Sequence, residues 1–155
     1  MKTPARYFNL VSDALANRHM EGSGCFWSNR DCRLLQEAGP PALPAMEAIM
    51  LEEALPFYHC STDSLHRKLP GLGSLLVTYL AIGNDHEADR VFGFFNCLYG
   101  SLRIEAMRAI NVVCLCRRPT IPIPRPLMVT IRALADVANG SMREVADWLL
   151  KRATG

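Results

Sequence analysis

No run of apolar residues in this chain approaches the length of a bilayer crossing. The longest, Leu75 to Ile82, contains Thr78 and falls far short of the ~20 residues that a membrane helix needs. A surplus of one charge sign is also missing. The chain holds 17 Lys/Arg against 15 Asp/Glu, a net charge of +2 with no acidic or basic tail, so bulk electrostatics gives no pull toward nucleic acid or lipid. There is no C-x2-C pair, glycine-rich phosphate loop, nucleophile elbow or H-E-x-x-H, which removes the commonest nucleotide, hydrolase and zinc-protease signatures. Strand-length alternation is absent throughout, which argues against a sheet protein. The opening Met1-Lys2-Thr3-Pro4, followed by Asn9 and Asp13, is too polar for a secretory signal. The expected location is the cytoplasm, with the six cysteines as reduced thiols.

What is present is helical. The chain has 155 residues, half of them apolar, enough for one domain with a substantial core. Tyr7, Leu10, Val11, Ala14 and Leu15 recur at helical spacing and predict a helix over 3–18. A glycine-bearing loop ends in Phe26 and Trp27, and a short helix over 31–37 runs into Gly39-Pro40-Pro41. Pro44 opens the next helix, with Met46, Ile49, Met50 and Leu55 as its stripe and Pro56 ending or bending it. Ser61 to Ser64 reads as a turn or cap before a helix near Leu65. Leu72 to Ile82 is apolar nearly all round and predicts a central buried helix. An aromatic-rich helix over 88–99 follows, with Gly93 in its middle, where close approach of another backbone would account for it. Gly100 suits a left-handed helix end and Ser101 the cap of a helix over 102–116. Residues 117–126 carry four prolines and predict an extended crossing before two last helices, over 126–138 and 141–152.

One motif occurs twice. Gly100-Ser101-Leu102-Arg103 with Ala106 returns 40 positions later as Gly140-Ser141-Met142-Arg143 with Ala146. That period belongs to stacked helix pairs, each of which buries its apolar face only against its neighbours. In the sequences Leu102-Arg103-x-x-Ala106-x-x-Ala109-Ile110 and Met142-Arg143-x-x-Ala146-x-x-Leu149-Leu150 the chain resembles the second helix of HEAT repeats. Asn96 and Asp136 hold matching places in the preceding helices. The resemblance is clearest over 91–150 and implies an all-α, right-handed solenoid of antiparallel helix pairs. It also implies a scaffold or adaptor surface that inherits no catalytic residues. The expectation is one domain over 1–155, with N-terminal helices and a loop over 1–40 and about three stacked pairs over 44–155.

The functional expectation rests on analogy with the fold alone. The leading expectation is a non-enzymatic protein-interaction module (scaffold, adaptor or inhibitor) without cofactor or metal. Its candidate contact residues are Phe26, Trp27, Arg103, Arg108, Arg143 and Trp148. Trp148-Leu149-Leu150 cannot all face one side, so Trp148 packs inward or meets a partner or second copy. Arg103 and Arg143 have the alternative of pairing with Asn96, Asp136 or helix ends inside the repeat. A second class is nucleic-acid binding, since 101–155 hold nine Lys/Arg against four Asp/Glu. A third is a metal or thiol protein built on His19 with Cys25 and Cys32, or on His59, Cys60 and His66. Asp85-His86-Glu87 reads as a helix-start cap.

Overall fold

The computed structural model describes residues 3–21, 29–83, 93–94 and 97–116, with only the backbone for 107 and 110–116. Within them the chain is all-α, with an isolated bridge between Met20 and Asn29 and no β-strand among the described residues. Helix α1 (Ala5–Ala16) starts behind Pro4 and buries Tyr7, Val11, Ala14 and Leu15 of the predicted stripe, with Leu10 half-buried. It stops at Asn17, whose φ of 58° is left-handed, a conformation that Asn tolerates better than most residues. Helix α2 (Arg30–Ala38) is capped by Asn29, whose Oδ1 accepts from the Cys32 amide at 3.0 Å. The same side chain donates through Nδ2 to the Ala14 carbonyl at 3.0 Å and to Asn17 Oδ1 at 3.1 Å. One buried amide thus starts α2 and ties it to the end of α1.

After Gly39 a short 3-10 turn (Pro40–Ala42) leads into α3 (Leu43–Ile49), with Pro44 in its first turn. The helix then widens into a π turn over Met50–Ala54, where the Leu55 amide bonds back to Met50, and tightens into a 3-10 turn over Leu55–Phe57. Pro56 explains the change. It has no N–H to give the carbonyl four residues back, so the α register cannot pass through it.

Helix α4 (Thr62–Lys68) is capped by the Ser61 hydroxyl, which accepts from the Ser64 amide at 3.2 Å. Helix α5 (Leu72–Ile82) has the predicted bounds and buries eight of its side chains. It is enclosed by α1, α2, α3 and α6 (Ser101–Cys116). At its start the Gly71 amide donates to the Leu15 carbonyl at 2.9 Å, and a Cβ on Gly71 would collide with the backbone of Ala14. Tyr79 is fully buried, reaches Glu47 Oε1 at 2.7 Å and meets the Phe94 ring edge-on at 5.1 Å.

The aromatic-rich segment departs from expectation at its C-terminal end. Cys97 to Gly100 form a turn, so the helix does not extend to Tyr99. Phe94 and Leu98 are buried in the core, as their place in the apolar run predicts, and Tyr99 is exposed. Among the described residues nothing lies within 4 Å of where a Cβ on Gly93 would sit. Among the described residues no helix is long and apolar enough to cross a membrane. The proline-rich crossing, the last two helices, Asp85-His86-Glu87 and the second copy of the repeat lie outside the described residues.

Candidate functional site

Of the six candidate contact residues, Phe26, Trp27, Arg143 and Trp148 lie outside the described residues. The other two are engaged within the chain. Arg103 is half-buried and its Nε donates to the Leu98 carbonyl at 2.9 Å. It clamps the turn in front of its own helix, the internal alternative rather than the surface one. Arg108 is exposed, and its guanidinium meets Glu105 Oε1 at 3.0 Å.

Glu105 was not among the candidates, yet it organises one side of the molecule. Its side chain is only 5 % exposed and its second oxygen receives His66 Nε2 at 3.0 Å. A buried carboxylate requires partners of this kind. With both oxygens taken, it straps α4 to α6 instead of offering a free base. The strap forms one wall of a groove of about 440 Å³ whose lining includes Asn17, Met20, Ser74 and Val77.

A second surface lies at the junction before α6. Gly100 has a φ of 63°, and a Cβ there would meet the Tyr58 carbonyl. Both the amide and the hydroxyl of Ser101 donate to that same carbonyl at 3.1 Å. The Ser101 hydroxyl therefore reaches across the fold instead of capping α6. This fixes Tyr58 beside Tyr99, their rings 4.4 Å apart and tilted by 53°. The His59 ring lies edge-on to Tyr58 at 5.5 Å. Tyr58 is 40 % and Tyr99 41 % exposed, so a rigid pair of amphipathic rings faces outward. The signal for it in the sequence was the Tyr-Gly-Ser run at 99–101, but nothing local pointed to Tyr58.

Of the two cysteine and histidine groupings, the one around Cys60 does not come together. His66 pairs with Glu105 and His59 lies edge-on to Tyr58, and among the described residues they form no ligand set with Cys60. Cys25 lies outside the described residues. Cys32 is buried, and desolvation pushes its thiol up to about 12, only partly offset by a hydrogen bond with Thr78. The nearby Asp31 adds to the upward push. That thiol is neither a ready nucleophile nor a ready ligand. No protein-family model, curated protein or solved structure matches the chain.

Proposed function

We propose that this chain is a non-enzymatic protein-interaction module that grips its partner through the Tyr58–Tyr99 pair. The observation that carries the reading is the exposure of both rings on a backbone held by Gly100 and Ser101. Aromatic residues dominate interface energetics when they are rigid and partly exposed, because little side-chain entropy is lost on docking. We extend the module to a HEAT-like stack of helix pairs, in a single domain, with Phe26, Trp27, Arg143 and Trp148 as further contacts. Each repeated residue in the first copy has a duty: Gly100 turns the chain, Ser101 and Arg103 clamp carbonyls, and Leu102 and Ala106 are buried. Those duties support reading the copy at 140–146 in the same way. A cytoplasmic setting suits the unpaired Cys32, Cys60 and Cys97.

The test places a photo-crosslinking phenylalanine analogue at position 99 in cells. A single adduct of defined mass is expected, and the purified partner should bind Tyr58→Ala/Tyr99→Ala at least tenfold more weakly. An adduct at twice the chain mass would make the partner a second copy. Retention of full affinity by the folded double variant would end the proposal. Nucleic-acid binding fits less well, because Arg103 and Arg108 are engaged by Leu98 and Glu105. Salt-sensitive DNA or RNA binding in an anisotropy titration would revive it.

A further inference from the structure

Three polar side chains converge where α1 gives way to α2. Asp13 sits on the last full turn of α1, His19 follows the left-handed turn at Asn17, and Asp31 lies in the first turn of α2. The potential ligand atoms of all three lie within 4.8 Å of one another. The scaffold that gathers them is well tied: Arg30 N donates to the His19 carbonyl at 3.1 Å, and Asn29 links Ala14, Asn17 and Cys32.

Asp31 is the informative member. Its side chain is 1 % exposed, and Oδ2 meets His19 Nδ1 at 2.8 Å. Its other oxygen, Oδ1, is buried and has no hydrogen-bond partner among the described residues. Buried carboxylate oxygens are rarely left bare, because desolvation without a partner is costly. His19 and Asp13 are each about one-third exposed, at 38 % and 34 %, so the cluster is open on one side. Arg18 approaches Asp13 at 3.6 Å, but its side chain is 69 % exposed and free to swing aside.

We propose that Asp13, His19 and Asp31 form a zinc site that staples the end of α1 to the start of α2. Two carboxylates and one imidazole are a mixed O/N set with a charge of −2 when the ring is neutral. Zinc takes three such ligands at ~2.0–2.2 Å and fills its fourth position with water, which the open side would supply. Calcium and magnesium want six or more oxygens and are poorly served by an imidazole. The ion would supply the missing partner of the Asp31 carboxylate and draw the three groups inward by a small movement. This site is separate from the Tyr58–Tyr99 surface, so each can fail alone.

Zinc titrated into the chelator-stripped full chain, followed by calorimetry and thermal melting, tests the assignment. One zinc per chain is expected, binding at micromolar concentration or tighter and raising the melting temperature. Asp13→Asn and His19→Gln should each weaken binding at least tenfold and abolish the thermal shift. Both positions are part-exposed, so they carry the test even if Asp31→Asn fails to fold. Arg18→Ala should tighten binding by releasing Asp13. Stoichiometry well below one, unchanged affinity in Asp13→Asn and His19→Gln, or displacement of zinc by equimolar calcium would overturn the proposal. Loss of binding in Cys25→Ser would also overturn it, by moving the site onto a thiol.

Discussion

Gly100 combines two demands that no other residue meets together, a left-handed φ of 63° and contact of its Cα face with the Tyr58 carbonyl. Asn would accept the first demand but brings a Cβ to the second. Gly100→Ala should therefore destabilise the chain by about 2–5 kcal/mol, strain and overpacking together, read as a shift in the urea midpoint at unchanged slope. Cys32 makes a different prediction. Its thiol ionises ordinarily at 9.0 and in the fold at about 12. Below pH 9 both states keep the proton. Above it the unfolded chain releases a proton that the folded chain retains, so stability falls as pH rises toward 12. The loss is ~4 kcal/mol at most over that window. Cys32→Ala should start less stable at pH 8 yet show a shallower decline in urea titrations up to pH 10.5. At pH 8 iodoacetamide should label the exposed Cys97 in the native protein and leave Cys32 unmodified. The left-handed position of Gly100 was legible because glycine before a new helix is a common stop signal. The destination of the Ser101 hydroxyl was not, since Tyr58 lies 43 residues away.

Helices are the level at which the sequence spoke most clearly. The bounds of α5 are as its nearly all-apolar run predicts, and α1 differs only in its fraying ends. Periodicity reads burial, and burial dominates these two elements. Where a single hydrogen bond decides, the pattern is silent. Pro56 announced an end or a bend, but whether the lost bond is absorbed as a π turn or a kink depends on packing around Met50 and Ala54. Pro56→Ala should restore an α register and slow amide exchange over 55–58. Unaltered exchange there would remove Pro56 as the cause of the wide turn. Asn29, too, gave no local sign that it joins two helices, because two of its three side-chain partners precede it by 12 and 15 positions. Gly71 belongs to the same class. Its φ of −93° is ordinary, so the whole cost of Gly71→Ala comes from the Ala14 backbone. About 3 kcal/mol is expected, with the separation of α1 from α5 visible as faster exchange at the Gly71 amide.

For the molecule as a whole, the question is whether the block at 100–106 is a unit that the chain uses again. In the first copy the glycine is indispensable for geometric reasons, the serine and arginine clamp carbonyls, and the apolar residues face the core. A merely compositional coincidence at 140–146 would share the letters without sharing these constraints. Gly140→Ala separates the two cases. If the second copy turns the chain as the first does, the substitution should cost ~1–3 kcal/mol from the left-handed backbone alone. A change within about 0.5 kcal/mol, typical of an unconstrained surface position, would leave the helix-pair stack without its second brick. The double variant then tests stacking itself. Adjacent units of a solenoid unfold through shared interfaces. Gly100→Ala and Gly140→Ala together should therefore depart from additivity by more than the ~0.5 kcal/mol seen for independent sites. Additive costs would mean that the two turns belong to separate parts of the fold.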